Sequence, residues 1–275
     1  MTKLTLGVVQ CSLTDDAAEN IAKVEQYIRT AAARGAKLIL TPELFEGYYF
    51  CTKQDPANFA RAHSVEQSPA VIALRRLAAE LKVFLPVSFF EHDGSSYYNS
   101  MAMIDDSGAI MGVYRKTHIP DGPGYQEKYY FRPGDTGYKV WDTPYGKIGV
   151  GICWDQWFAE AATGMMLKGA DILLYPTAIG SEPYDKTLDT HESWQLAQRG
   201  HAVMNRVPVA AANRIGLEDA QRFYGASFIC DHTGKLVQEF GSTEEGVLIH
   251  SFDIENIRTE RADWGFHRDR RPEVI

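Results

Sequence analysis

No apolar run in this 275-residue chain approaches the ~20 residues needed to cross a bilayer. A membrane-spanning protein is therefore not expected. Basic residues are in deficit: 28 Lys and Arg stand against 36 Asp and Glu, a net charge of −8. That balance argues against a nucleic-acid surface, which needs clustered cations. It is compatible with a cationic ligand. Only four cysteines occur, Cys11, Cys51, Cys153 and Cys230, with no C-x-x-C pair. This spacing is neither a disulfide framework nor a zinc site. The first ten residues read as a strand and not as a secretion signal. A reducing cytoplasm, where free thiols persist, is the expected compartment. Low-complexity tracts, linkers and short fixed-period repeats are also missing. What remains is an ordinary globular composition, 45% apolar and 23% charged, long enough for one large core. One α/β domain over residues 1–275 is expected.

Strands and helices alternate early in the chain. Residues 4–9 read as a strand, and Asp15-Asp16 caps a helix over 17–33 that stops at Gly35. A second strand, 37–40, runs into T-P-E-L-F. Residues 69–81 carry apolar positions at a helical period. Strands follow at 83–89, 98–104 and 109–114, then a long loop at 121–137 rich in Gly, Pro and Tyr. The apolar strand 148–152 leads to Cys153, with a helix expected from about Gln156 to Lys168. Strand 171–175 is expected to end at Pro176. A helix at 188–205 and strands at 207–212, 223–230, 235–240 and 247–252 complete the reading, and 217–222 reads as a loop.

Three chemically different groups share one kind of position. Glu43 follows the strand L-I-L, Lys116 follows A-I-M-G-V-Y, and Cys153 follows I-G-V-G-I. In α/β sheets, ligands collect beyond the carboxyl ends of strands. Each residue also has an ordinary reading: Cys153 as a small buried apolar residue, Glu43 and Lys116 as solvated loop charges. Glu46, close to Glu43, is read as a surface acid. Taken together, the three suggest acyl transfer. A thiol is mostly protonated at neutral pH, so Glu43 would take its proton. Lys116 would offset the repulsion between carboxylate and thiolate and, with the Trp154 backbone N–H, would face the oxyanion. A helix start beside Cys153 would favour the thiolate.

T-P-E-L-F at Glu43, Y-R-K-T-H-I-P at Lys116 and G-I-C-W-D-Q-W at Cys153 resemble the three signature blocks of the nitrilase superfamily of carbon–nitrogen hydrolases. The blocks E-L-F-E-G-Y-Y-F-C, H-I-P-D-G-P-G-Y-Q-E-K-Y-Y-F-R-P-G-D-T-G, Y-P-T-A-I-G-S-E-P and W-G-F-H-R-D-R-R-P resemble its N-carbamoylputrescine amidase group and spread over nearly the whole chain. Pro42 departs from the pattern, which more often has Gln there. The resemblance implies a four-layer αββα sandwich that self-associates through its sheet-flanking helices. It implies Glu43 as base, Lys116 as cationic stabiliser, Cys153 as nucleophile and Glu127 as a second acid orienting Lys116 or substrate. No metal or organic cofactor is implied.

The implied substrate is a small cationic ureide, cleaved to putrescine, carbon dioxide and ammonia in polyamine formation from agmatine. Its distant ammonium needs an acid. Glu182 is the first candidate and Asp185 the second, each with the alternative of a solvated loop acid. Ile179, Tyr184, Tyr125 and Trp154 are expected to line the methylene channel. The competing reading is an amidase of the same superfamily acting on N-carbamoyl amino acids or small amides, which needs a cationic anchor such as Arg. The loop 178–185 contains none.

Overall fold

The structure is a computed structural model that describes residues 3–182, 184–185 and 187–274. In chain order the elements are β1 (Lys3–Gln10), α1 (Ala17–Ala33), β2 (Leu38–Leu40), α2 (Pro69–Leu81), β3 (Leu85–Asp93), β4 (Ser96–Ile104) and β5 (Ile110–Arg115). Then come β6 (Val140–Thr143), β7 (Gly146–Val150), α3 (Ala159–Leu167), β8 (Ile172–Thr177), α4 (His191–Asn205) and β9 (Val209–Asn213). The last are β10 (Ile215–Glu218), β11 (Gln221–Tyr224), β12 (Phe228–Cys230), β13 (Leu236–Glu239), β14 (Gly246–Asp253) and α5 (Ile254–Trp264).

Two sheets form the middle of the molecule. One runs β13-β12-β9-β8-β7-β6. The other joins β14-β1-β2 to β3-β4-β5 through a bridge between Leu38 and Phe84, with Phe84 N donating to Lys37 O at 2.8 Å. Their inner faces share one apolar core, where Leu6, Val8, Leu40 and Met103 cluster with Val150, Leu174 and Ala210. Helices α1 and α2 cover the outer face of one sheet through Val24, Ile28, Leu74 and Ala78. Helices α3 and α4 cover the other through Met165, Trp194 and Ala202. The order of layers is αββα, as the resemblance implies. Each fully buried Leu or Val contributes roughly 1.5–3 kcal/mol, so the alternation of apolar residues fixes which face turns inward.

Local signals set the helix ends. Asp16 accepts the Glu19 N–H at 3.0 Å to open α1. Ser68 accepts the Val71 N–H at 3.3 Å, with Pro69 at the first position of α2.

Several elements differ from the sequence reading. The helix expected at Gln156 begins at Ala159, because Cys153–Trp157 forms a tight 3-10 turn first. Pro176 does not end β8 but lies inside it, paired with Ala212. Leu174 faces β7, bonding to Gly151 N, so Pro176 faces the same side, where β7 has already ended. The missing N–H costs nothing there. Residues 217–222 are not a loop: they belong to the β10–β11 hairpin, which turns at Asp219 with φ +50°. The single span 223–230 divides into the end of β11 and β12. Strand β6 and helix α5 were not anticipated.

Candidate active site

Glu43 lies three residues beyond β2. Its loop is moulded around the buried guanidinium of Arg214, which donates to the carbonyls of Leu44 at 2.9 Å and Gly47 at 3.0 Å and also to that of Glu43. Glu218 compensates this charge at 2.9 Å. Leu44 sits at φ +45° and its N–H donates to Ser88 Oγ at 3.0 Å. The loop is thereby fixed at its backbone, leaving the Glu43 side chain to project into the site.

Lys116 follows β5 directly. Its N–H donates to Asn99 O and its carbonyl accepts from Gly134 N, both at 2.8 Å. The long loop closes so tightly here that a Cβ on Gly134 would lie 2.1 Å from Arg115 O. Cys153 lies three residues beyond β7, in a left-handed conformation with φ +42°. Asp155 secures its turn: the carboxylate accepts from Ile152 N at 2.9 Å, Tyr114 OH at 2.7 Å and His118 N at 2.9 Å. The turn after β7 is thus tied to the segment carrying Lys116.

The three side chains converge with a fourth. Lys116 Nζ lies 3.0 Å from Glu43 Oε1 and 2.7 Å from Glu127 Oε2, all of them essentially inaccessible to solvent. Asn99 Nδ2 donates to Glu43 Oε1 at 2.7 Å, and Tyr49 OH to Glu127 Oε1 at 2.6 Å. Glu43 Oε2 is buried and has no partner among the described residues. This oxygen has a lone pair available to accept a hydrogen bond or a proton. Cys153 Sγ lies 3.8 Å from Ala178 O.

Electrostatics follow from that packing. Burial and the Glu43 and Glu127 carboxylates push the Cys153 thiol well above its ordinary range, outweighing Lys116. Burial and these neighbours thus favour the protonated thiol at Cys153, and the helix expected to favour the thiolate starts only at Ala159. Burial also raises the Glu127 carboxyl, against the opposing pull of Lys116. For Lys116 burial pulls the ammonium down, but Glu127 and Glu43 outweigh it and the ion is held protonated. The arrangement can hold one proton on the thiol, receive it on Glu43 and keep a fixed cation beside both.

A cavity of 390 Å³ opens from this cluster. Cys153, Glu127, Tyr125, Trp154, Ile179 and Glu182 are among the residues that line it. Glu182 is buried, and desolvation raises its carboxyl. Asp185 is not among the lining residues: its carboxylate turns back to Thr187 N at 2.9 Å and Thr187 Oγ1 at 2.6 Å. An Asp two residues before Thr makes that local turn in preference to reaching a ligand. Glu46 is not a free surface acid. It accepts the Ala70 N–H at 3.1 Å at the start of α2, and burial raises its carboxyl to about 7. Sequence reasoning missed Asn99, Tyr49 and Arg214. A polar Asn within the apolar run of β4 was the available signal for the first; Arg214, just after A-A-A-N, was a comparable one.

Comparison with known proteins agrees with the geometry. The carbon–nitrogen hydrolase family model matches residues 5–262. A citrullinase from Francisella tularensis is 53% identical over 100% of this chain and 97% of its own length. An N-carbamoylputrescine amidase from Solanum lycopersicum is 51% identical over 98% of this chain and 93% of its own. The crystal structure of a carbon–nitrogen hydrolase from Helicobacter pylori G27 superposes with a TM-score of 0.93 at 35% identity, covering 98% of this chain and 96% of that one. The chain belongs to the carbon–nitrogen hydrolase family, the nitrilase superfamily, and is a hydrolase of amide carbon–nitrogen bonds.

Proposed function

We propose that the protein hydrolyses N-carbamoylputrescine to putrescine, carbon dioxide and ammonia. The observation that carries this reading is Glu182, a buried carboxylate lining the same cavity as Cys153. Among the described lining residues the charged groups are Asp121, Glu127 and Glu182, all acids. Such a cavity suits a ureide whose far end is an ammonium.

In the proposed cycle Cys153 Sγ attacks the ureido carbonyl as Glu43 Oε2 takes the thiol proton. Lys116 and the Trp154 N–H stabilise the oxyanion, a contribution typically worth ~3 kcal/mol for one such donor. Glu43 returns the proton to the departing ammonia. A thiocarbamate then links Cys153 to the aminobutyl chain. Water, deprotonated by Glu43, cleaves it, restoring the thiol and releasing a carbamic acid that breaks down to putrescine and carbon dioxide. Glu127 orients Lys116 throughout.

A second reading is favoured by the Francisella relative. Citrulline shares the ureide, the chain and the ammonium but adds a carboxylate, which asks for a cationic or donor-rich anchor. Ammonia release from N-carbamoylputrescine, L-citrulline and N-carbamoyl-β-alanine, measured side by side, separates the readings. Preferential turnover of the first supports the proposal. Preferential turnover of citrulline keeps the cysteine chemistry and replaces the substrate; turnover of N-carbamoyl-β-alanine alone overturns the cationic anchor.

Self-association belongs to the same proposal. Leu167 on α3 and Leu196, Val203 and Met204 on α4 are exposed apolar residues on the outer helical layer. Light scattering should give a dimer or larger assembly, and a monomer at micromolar concentration would contradict it.

A further inference from the structure

The hairpin β10–β11 is not needed to complete either sheet. It packs instead against the chain that follows β8. Gly180 and Phe223 form an antiparallel bridge, and Ser181 N donates to Arg222 O at 2.7 Å. The approach is so close that a Cβ on Gly180 would fall 2.1 Å from Arg222 O. Residues 178–182 therefore run along the edge of the hairpin. The first of them, Ala178, accepts from the Cys153 thiol, and the last, Glu182, lines the cavity. One short segment spans from the nucleophile to the acid proposed to hold the substrate ammonium.

Gln221, at the start of β11, secures this segment from within. It is buried, at 1% exposure. Its amide nitrogen donates to Ser181 O at 2.6 Å and to Tyr125 OH at 2.9 Å. Tyr125 in turn accepts from Gly180 N at 3.0 Å. Both protons of the amide are thus spent on groups that flank Glu182 or line the cavity. The amide oxygen, Oε1, is buried without a partner among the described residues. An unpaired buried acceptor is costly, and an apolar side chain of similar size would avoid it. What the amide provides in exchange is the pair of bonds that fixes Ser181 and Tyr125 relative to each other.

We infer that Gln221 is a specificity-determining positioning residue: through Ser181 O and Tyr125 OH it sets the distance from Cys153 Sγ to the Glu182 carboxylate, and with it the length of cationic ureide that fits. This inference rests on the reading of Glu182 as the ammonium anchor. Among the described residues, the side-chain hydrogen bonds of Gln221 go to Ser181 and Tyr125, not to Cys153 or Glu182. Its effect reaches the cavity through the positions of Ser181 and Tyr125.

The test compares Gln221→Leu with the parent enzyme on N-carbamoylputrescine, on its one-carbon-longer homologue N-carbamoylcadaverine, and on N-butylurea, which lacks the ammonium. The expected result is a rise of about tenfold in KM for N-carbamoylputrescine with little change in kcat, since the two hydrogen bonds that hold Ser181 and Tyr125 are lost. The preference over the longer homologue should narrow, and kcat/KM for N-butylurea should hold. In a Glu182→Gln background, Gln221→Leu should add nothing. Equal losses on all three ureides, or additive losses in the double variant, would overturn the inference while leaving Glu182 as anchor. If Glu182→Gln itself fails to discriminate between charged and uncharged ureides, the anchor reading falls first and the inference with it. If Gln221→Leu does not fold, judged by its thermal melt, Tyr125→Phe removes one of the same bonds from the other side. It should then give the same narrowing of length preference, and an unchanged preference would overturn the inference.

Discussion

At the scale of single residues, the buried cluster is two carboxylates, one ammonium and one neutral thiol. Moving the thiol proton from Cys153 to Glu43 leaves its total charge unchanged. That is the physical reason a base is needed: burial forbids creating a new charge but permits relocating one. Cys153→Ala should abolish ureide turnover with an unaltered circular dichroism spectrum, and retained turnover would remove the thiol from the mechanism. Lys116 is equally constrained. Lys116→Met leaves Glu43 and Glu127 buried without their cation, a loss of about 3–5 kcal/mol. Burial already raises the Glu127 carboxyl, so the folded variant should take up protons more readily than its unfolded chain. Its stability deficit in urea should therefore shrink as pH falls from 8 to 5; a deficit that grows would contradict the placement of Lys116 between two acids. The same sign applies to Glu46, whose folded value of about 7 exceeds the ordinary 4.5. Between these values the native state binds more protons than the unfolded state, so stability falls as pH rises. Glu46→Gln should flatten that slope and gain about 1 kcal/mol at pH 8. An unchanged slope in pH-dependent urea melts would show that Glu46 is solvated.

At the scale of elements, the pattern of apolar residues carried much of the fold. The periodicities over 17–33 and 69–81 coincide with α1 and α2 because each helix buries one stripe against a sheet and each has its own cap. The placement of Glu43, Lys116 and Cys153 just beyond strands was legible because strand ends are visible in sequence. Legibility failed where tertiary context outweighed local rules. Pro176 continues β8 because its neighbour strand had already stopped. Asn99, Tyr49 and Arg214 act across the fold, at separations no local pattern encodes. The long loop 121–137 was legible as a loop by composition, but not its clasp: Gly134 seats against the carbonyls of Arg115 and Lys116. Gly134→Ala should displace Lys116 and lower kcat by up to about a hundredfold, with a much smaller change in thermal stability. A kcat within twofold of the parent would show the loop to be yielding at that point.

At the scale of the whole molecule, a net charge of −8 and a cavity whose described charged lining is acidic act in the same direction. Both favour approach of a cation. Raising ionic strength should reduce kcat/KM for N-carbamoylputrescine and leave that for N-butylurea unaffected. The four cysteines divide along the same architecture. Cys11, Cys51 and Cys230 are wholly inaccessible, whereas Cys153 borders the cavity near Glu43, one of whose oxygens has no partner among the described residues. A thiol alkylator should label Cys153 far faster than the others, and uniform labelling would argue for a binding protein with an inert site.

The proposed cycle turns on a covalent bond between Cys153 and the ureide carbon. Rapid acid quench of the enzyme turning over N-carbamoylputrescine, followed by peptide mass spectrometry, tests it directly. The predicted product is the Cys153 peptide carrying one aminobutylcarbamoyl group. A carbamoyl group alone would contradict the order in which ammonia leaves first. Unmodified Cys153 peptide throughout the first turnover of the parent enzyme, with ammonia release demonstrated in the same samples, would contradict the central claim.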